Sequence, residues 1–428
     1  MSVTVQRDSR AARIGGAALG VPAFRTFFLA TLVSNTATFM LSAGISWAAL
    51  ETSGSPGGVA LVGFLFALPF TLLTLHAGLV ADWFGARPVL ALSLALSGGA
   101  TLLLGCIALG WGLPYAAIAG AAVLIGTLSV LGSPAGMTIA NEIVTPGLVP
   151  SAMTLIWITV NFGRVAGGLI AGALLAHLAG GWTLAVAGAL TIAVALVIRR
   201  LPVPRPVRAA HVSVALLAPL REATGHAFRE PTMRTLLAIA VVAGSLGLGF
   251  NYQLPLAATE LGAGANGYGT LVAAVGLGGL VAGLLAERLM RRLGQGRVIL
   301  VGVAAVAAGL VACGLSPALL PATLGIGLAG GGFAIYGATT LALLQALTPP
   351  DLRGRTTALF SLLYWGLMPV GAVIGGVVAS TIGARGTLIV MGLSVGIAGI
   401  AAVVVRPGLT RMRVGADGSI SGREATTG

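Results

Sequence analysis

Long apolar segments, separated by short clusters of polar residues, recur along the whole chain. A helix needs about 20 mostly apolar residues to cross a hydrocarbon core of roughly 30 Å. Twelve segments meet this requirement, near residues 26–50, 58–81, 88–109, 114–140, 150–176, 182–198, 233–259, 268–289, 296–315, 318–347, 355–381 and 385–405. They are too long and too rich in Gly and Ala for barrel strands, which alternate over about ten residues. The pattern predicts an all-α integral membrane protein with twelve transmembrane helices.

Composition excludes several classes of protein. Of the residues, 57% are hydrophobic and 8% are charged, with a mean hydropathy of +1.01; a soluble domain has about 25% charged residues. Soluble enzymes, nucleic-acid-binding modules and disordered scaffolds are therefore disfavoured. All 24 basic residues are Arg. The chain therefore has neither a Walker-type Lys for phosphate binding nor a Lys that could form a Schiff base. This excludes ATP-driven pumping by this chain and retinal chemistry. Cys106 and Cys313 lie in apolar segments, and we expect no disulfide framework, metal site or cofactor.

The distribution of Arg predicts the orientation in the membrane. All but two of the Arg residues fall on one side of the predicted bilayer; Arg385 lies on the opposite side and Arg164 lies inside the fifth span. The positive-inside rule places this Arg-rich side, with both termini, in the cytoplasm. The net charge of +13 therefore does not indicate a nucleic-acid partner. No small-residue cleavage site follows the N-terminal Arg cluster, so we expect the first span to be retained in a multi-pass protein of the cell membrane.

A Pro- and Arg-rich loop divides the spans into two sets of six. The predicted order is a cytoplasmic tail, an N-terminal six-helix half, a central cytoplasmic loop, a C-terminal six-helix half and a second cytoplasmic tail, at residues 1–22, 23–198, 199–232, 233–405 and 406–428. Within the loop, the pattern of residues 212–228 favours an amphipathic helix on the cytoplasmic surface. The last tail is polar and Gly-rich, which predicts disorder.

The two halves repeat each other in sequence. At an offset of 204–205 residues, Gly78–Asp82 aligns with Gly283–Glu287, and residues 146–172 align with residues 350–376. Two parallel six-helix halves, related by an axis along the membrane normal, are typical of secondary transporters that work by alternating access. A receptor or a channel without transport coupling is disfavoured by this repeat.

The segment GLVADWFGARPV, residues 78–89, resembles the loop between the second and third helices of the major facilitator superfamily, G-x-L-A-D-R-x-G-R-K/R. The matching residues are Gly78, Ala81, Asp82, Gly85 and Arg87. Residues 148–172 and 352–376 are similar to the branch of drug, macrolide and enterobactin-type siderophore exporters. The resemblance implies a monomeric transporter that moves an amphipathic small molecule, such as a drug, antibiotic or siderophore, outward in exchange for protons. The alternative is a proton-coupled importer of a small metabolite, because direction is not determined by the fold.

The resemblance also assigns a cytoplasmic gate. In that family, the Asp that matches Asp82 holds the loop against the N-terminus of the eleventh helix and favours the outward-facing state. In this chain, Arg353 and Arg355 lie near that N-terminus. A carboxylate is attracted to a helix N-terminus. Glu287 and Arg292 would repeat the clamp in the other half. The alternative is that Asp82 only ends an apolar run.

Arg164 is the most informative single residue for substrate binding. It lies about 20 Å along the helix from either end of its span, too far to reach water at the surface, and a charge at this depth costs at least 2.5–3.5 kcal/mol. Trp157, Asn161, Arg164 and Gly168 share one helix face. We expect this face to line the central cavity, with Arg164 contacting an anionic or hydrogen-bonding group. The alternative is a structural Arg bonded to backbone carbonyls.

Other polar or aromatic residues within spans are candidates for the same cavity, and a large amphipathic substrate suits them better than a sugar. They are Asn35, Thr38, Asn251, Tyr252, Gln253, Tyr336, Tyr364 and Trp365. Glycines in the fifth span resemble the antiporter motif G-x-x-x-G-P-x-x-G-G, with Gly168 in place of the Pro; they also fit plain close packing. The matching glycines are Gly163, Gly167 and Gly172.

None of the 11 acidic residues falls at mid-membrane depth, so the proton-coupling residue is sought near the membrane surfaces. Glu51 and Glu260 are repeat mates at the outer ends of spans 1 and 7, and both are candidates for proton acceptors at an outer gate. His76 in span 2 is a third candidate, because His is the side chain type suited to proton transfer at physiological pH. Solvation of loop residues is the alternative for both glutamates.

Overall fold

Pro and Gly residues set the boundaries of the helices in the N-terminal half. A computed structural model describes residues 16–203, 224–350, 352–414 and 420–421. Its first six membrane helices are α1 Pro22–Ser53, α2 Pro56–Phe84, α3 Ala86–Gly110, α4 Tyr115–Glu142, α5 Val149–His177 and α6 Gly180–Arg200. Pro occupies the first turn of α1, α2 and α5, where its missing N–H costs nothing.

The C-terminal half contains the other six helices, two of them interrupted. α7 consists of helix Pro231–Val242, a π-helical turn Ala243–Gly247, a 3-10 turn Phe250–Tyr252 and helix Leu254–Glu260. It is followed by α8 Gly264–Leu293, α9 Gln295–Leu315 and α10 Leu319–Leu347. α11 begins as Arg353–Tyr364 and resumes at Met368 within the segment Met368–Val405.

Gly383 separates α11 from α12. The 53-residue stretch Arg353–Val405 is far longer than one crossing requires, and Gly383 has φ 77° and ψ 170°, a conformation that favours Gly. α11 therefore ends at residue 382 and α12 runs over residues 384–405. With this division the described part of the chain has twelve spans, and the predicted fold class is confirmed.

The connections between α2 and α3 and between α8 and α9 are single glycines. Gly85 has φ 87° and Gly294 has φ 83°, so each reverses the chain in a conformation that other residues rarely adopt. The two glycines stand at equivalent places in the two halves, and Gly85 is one of the predicted gate-motif residues. The two helix pairs are therefore joined in the same way, although these glycines are 209 residues apart and do not fall on each other at the 204–205 offset of the sequence repeat.

The central loop and the C-terminal tail are described in part. Residues 224–229 are helical, and the rest of the predicted amphipathic helix, 212–223, lies outside the described residues. The tail continues as a 3-10 turn, Pro407–Arg411, and strands Arg413–Val414 and Ile420–Ser421 pair antiparallel. The expectation of disorder is wrong for residues 407–414, because Leu409 and Met412 are buried and the Met412 carbonyl accepts a hydrogen bond from Gly296 at the start of α9.

Candidate substrate cleft

The two halves meet along α5 and α8 through small residues. A Cβ atom added to Gly168 would lie 2.9 Å from the Ala273 nitrogen and the Gly269 oxygen, and one added to Gly172 would lie 2.9 Å from Gly269 Cα. Gly163 and Gly167 instead pack against α1, in their own half. The glycines of α5 therefore serve two contacts, and the pair Gly168 and Gly172 brings the halves together at the outer end.

A second seam joins α2 and α11. Gly376 packs against Ala60, and the Thr71 hydroxyl donates a hydrogen bond to the Gly366 carbonyl at 2.5 Å. Beyond this point toward the predicted cytoplasmic side, a Cβ atom at Gly78 or Gly354 would have nothing within 4 Å. The seam is therefore closed from the outer end to the middle and open below it.

The exposure along α5 shows the same asymmetry. Trp157 is 52% exposed, Asn161 and Arg164 are partly exposed, and Gly168 is buried. These four residues share one face, and its contact with α8 continues from Gly168 past Arg164 to Asn161 before the face becomes exposed at Trp157. With the predicted orientation, the structure is an inward-facing state whose cleft ends near Arg164.

Arg164 lies at the closed end of the cleft. Its guanidinium carbon is 4.7 Å from the centre of the Phe39 ring on α1, a cation–π contact, and it interacts electrostatically with Tyr364 on α11. It forms no hydrogen bond or ion pair with any residue that the structure describes. The alternative of an Arg bonded to backbone carbonyls therefore finds no support in the described part of the chain.

Aromatic side chains of the C-terminal half stand opposite Arg164. Tyr364 contacts Tyr336, Phe360 and Trp365, with ring centroids 5.1–5.8 Å apart. The Tyr364 hydroxyl donates to the Phe333 carbonyl at 3.2 Å. Both Tyr336 and Tyr364 are buried, so they form the wall of the cleft behind its surface.

The other predicted cavity residues are distributed more widely. Asn161 donates to the Trp157 carbonyl at 3.0 Å and packs on Gly279 of α8, while Asn251 donates to the Leu248 carbonyl at 2.9 Å. Tyr252 and Gln253 are buried at the interruption of α7, in the closed outer part. These two do not line the open cleft in this state.

A cavity of about 360 Å³ lies within the N-terminal half, and Asn35 is part of its wall. Asn35 also donates to the Thr159 hydroxyl at 3.0 Å. The other polar residues that line the cavity all carry hydroxyl groups: Thr31, Ser34, Thr38, Ser93, Ser97, Ser129, Ser133 and Thr191. Sequence reasoning missed the serines of α3 and α4, although each pair is spaced i, i+4 and so shares a helix face.

The predicted cytoplasmic gate is disengaged. Asp82 is exposed and forms no ion pair with a described residue, and Glu287 pairs with Arg291 of its own helix at 2.6 Å. Arg87 donates to the Leu201 carbonyl at 3.0 Å. With the cytoplasmic end open, neither carboxylate forms the clamp expected for the outward-facing state. The gate roles of Arg292 and Arg355 stay predictions.

The three coupling candidates differ in their surroundings. Glu51 accepts a hydrogen bond from the Trp47 indole N–H at 2.7 Å. Glu260 accepts two, from the backbone N–H groups of Ala384 at 2.6 Å and Arg385 at 3.1 Å, and so caps the start of α12. His76 is exposed on α2.

Comparison with known proteins defines the class. The profile of a family described as "Transmembrane secretion effector" matches residues 15–414. The chain belongs to this family of membrane transporters, with the major facilitator fold. Solved structures share the fold: the nucleoside transporter NupG, with TM-score 0.73, 13% identity and coverage of 90% of this chain and 98% of that one, and a bacterial homolog of the human lysosomal transporter Spinster, with TM-score 0.68, 18% identity and coverage of 90% and 97%.

Sequence relatives carry more specific names. The multidrug efflux pump Tap of Mycolicibacterium fortuitum is 26% identical over 368 residues, 83% of this chain and 89% of that protein. Tap of Mycobacterium tuberculosis is 26% identical over 400 residues, 89% of this chain and 93% of that protein. The similarity extends over nearly the whole of both chains.

Proposed function

We propose that this transporter exports an amphipathic small molecule, such as a drug, antibiotic or siderophore, by alternating access in exchange for protons. The observation that carries the proposal is the cleft between the halves, closed at its outer end by the α5–α8 and α2–α11 seams and ending at Arg164. Similarity to pumps named for multidrug efflux supports the outward direction. The chain acts as a monomer in the cell membrane with both termini in the cytoplasm.

Glu51 is the proton acceptor that the geometry favours. Trp47, which donates to Glu51, stacks on Tyr268 of α8 with ring centroids 5.9 Å apart, so it links the two halves at the outer end. Protonation of Glu51 removes a charged acceptor and weakens this hydrogen bond. Protons arriving from outside would thereby loosen the outer contact and couple proton entry to opening of the outer gate.

The test is compound accumulation in an efflux-deficient bacterial host that expresses the chain. The panel contains cationic dyes, macrolides, tetracyclines and catecholate siderophores, each measured with and without a proton uncoupler and against the empty host. We expect lower accumulation of at least one compound, abolished by the uncoupler. Uncoupler-sensitive uptake of a panel compound would instead establish the importer and refute export.

A further inference from the structure

Arg164 is a partly exposed cation that has no counter-charge among the residues the structure describes. A guanidinium has five N–H donors and no acceptor, and none of its donors is used by a described residue. The hydroxyl of Tyr364, with which Arg164 interacts electrostatically, already donates to the Phe333 carbonyl. The donors of Arg164 are therefore available to something that enters the cleft.

The described acidic side chains cannot supply the missing charge. Each lies within about two turns of a helix end, toward one membrane surface or the other: Glu51, Asp82, Glu142, Glu230, Glu260 and Glu287. Glu51, Glu260 and Glu287 also have hydrogen-bond partners of their own. Because a charge at this depth pairs with another group or faces a water-filled cavity, and no described carboxylate pairs with Arg164, a ligand that enters the cleft is a candidate for its partner.

The hydroxyl-lined cavity of the N-terminal half begins one turn from Arg164 on α5. Val160 lines this cavity, and residue 164 follows it at i+4 on the same face. Three lining threonines, Thr31, Thr38 and Thr191, donate to carbonyls of their own helices. The lining serines form no side-chain hydrogen bond with a described residue: Ser34, Ser93, Ser97, Ser129 and Ser133.

We propose that the cleft binds an amphipathic organic acid, with its acid group on Arg164 and its hydrogen-bonding body in this cavity. A guanidinium binds a carboxylate through two parallel hydrogen bonds. The cavity of about 360 Å³ lies within the range of about 300–1,000 Å³ typical of sites for drug-sized ligands. The proposal rests on the proposed function, since it names the chemical class of the exported compound.

Two dyes with the same ring skeleton and opposite charge test the proposal: fluorescein, an anion, and rhodamine 123, a cation. Their binding to the purified full chain in detergent is measured by fluorescence anisotropy at neutral pH. We expect fluorescein to bind at least about tenfold more tightly than rhodamine 123, the difference that one charge-assisted pair supplies. Equal or tighter binding of rhodamine 123, or no binding of fluorescein by the native chain, would overturn the proposal.

Variants test which residues cause the preference for the anionic dye. Arg164→Gln should weaken fluorescein binding at least about tenfold and tighten rhodamine 123 binding, because a like charge is removed, while Arg164→Lys should keep part of the preference because the charge stays but the planar fork is lost. The double variant Ser129→Ala, Ser133→Ala should weaken fluorescein binding less than Arg164→Gln does. Arg25→Gln, at an exposed Arg of α1, is the matched control. Monodisperse elution and an unchanged Tm verify folding, and full fluorescein affinity in folded Arg164→Gln protein contradicts the proposal.

A lipid headgroup offers the same acid chemistry as a soluble compound. Repeating the titration in micelles that contain phosphatidylglycerol separates the two sources: a soluble acid keeps its affinity, whereas displacement of fluorescein by the lipid assigns Arg164 to the membrane and overturns the proposal. The accumulation assay separates this inference from the proposed function. If cationic dyes are exported and Arg164→Gln leaves that export unchanged, the organic-acid proposal is refuted and the exporter proposal stands. If no compound of the panel is exported, the exporter proposal itself is refuted.

Discussion

Glu51 and Glu260 are repeat mates whose carboxylates bind different partners. Glu260 accepts two backbone N–H groups at the start of α12, a stabilising position for a negative charge next to a helix N-terminus. Glu51 accepts an indole N–H from a side chain that reaches the other half. One carboxylate therefore stabilises a helix end, and the other is connected to the outer gate.

The pair Glu51→Gln and Glu260→Gln should separate coupling from stability. Glu260→Gln removes one acceptor and the charge at the α12 cap, and we expect it to lower the free energy of unfolding by about 0.5–2 kcal/mol with the pH dependence of transport unchanged. Glu51→Gln should leave stability nearly unchanged and abolish the pH dependence. Thermal unfolding and transport into vesicles at pH 6 and pH 8 measure both effects. Loss of pH dependence in Glu260→Gln alone would reverse the assignment.

At the scale of elements, the α5–α8 seam determines how closely the halves approach at the outer end. Backbone atoms of α8 lie where a Cβ of Gly168 would be, so the contact exists only while that position is Gly. Helices with small residues at the interface pack closely through their backbones. The inward-facing state therefore depends on this position, and the outward-facing state, in which the seam opens, does not.

Gly168→Ala should shift the population toward the outward-facing state. Overpacking a tight contact costs about 1–3 kcal/mol, which corresponds to a change of about fivefold or more in the ratio of the two states. Spin-label distances between the cytoplasmic ends of α2 and α11, in a Cys106→Ser, Cys313→Ser background, measure this ratio. Gly120→Ala is the control, because a Cβ there has nothing within 4 Å; an unchanged distance distribution in Gly168→Ala would refute the role of the seam.

The sequence predicted the membrane-spanning helices better than the breaks within them. Hydropathy located all twelve spans because each must be apolar over its full length. The π-helical turn of α7 has no such signal, since hydropathy does not distinguish one helical hydrogen-bond pattern from another. The break in α11 before Met368 could have been read from Pro369, because a residue preceding Pro disfavours the helical conformation.

The candidate site was predicted in part for similar reasons. Arg164 was found because a charge inside an apolar span is conspicuous. The cavity serines were missed because Ser is common in membrane helices, where its hydroxyl is often bonded within the helix. The partner of Gly168 in the other half could not be predicted, because hydropathy and helical periodicity do not specify which helices touch.

At the scale of the whole molecule, the proposed alternating access would exchange one set of contacts for another. The structure has the outer seams formed, and Asp82 and Glu287 disengaged from their predicted clamps. Closing the cytoplasmic end should bring Asp82 to the start of α11, near Arg353 and Arg355. The start of α5 offers Ser151 and no Arg, so the clamp formed by Glu287 should be the weaker of the two.

Asp82→Asn should therefore impair transport more than Glu287→Gln. Losing the stronger clamp destabilises the outward-facing state, by about 0.3–1 kcal/mol for a charge near a helix N-terminus and more where Arg contributes. Export rates of the two variants, corrected for expression, give the comparison, and Arg25→Gln serves as the control. Equal effects would show that the two clamps are equivalent.

The cleft that admits water from one side also determines where the membrane voltage falls. In the inward-facing state the cytoplasmic water reaches toward Arg164, so the field drops mainly across the closed outer seams; in the outward-facing state it drops across the cytoplasmic seal. Under the proposed alternating access, the charge of Arg164 would thus cross most of the field. An elementary charge in a potential of 100 mV is worth about 2.3 kcal/mol. If the chain exports an acid as proposed, an inside-negative potential would therefore return the empty carrier to the state that loads from the cytoplasm, and the bound acid, by neutralising Arg164, would release the loaded carrier from that bias.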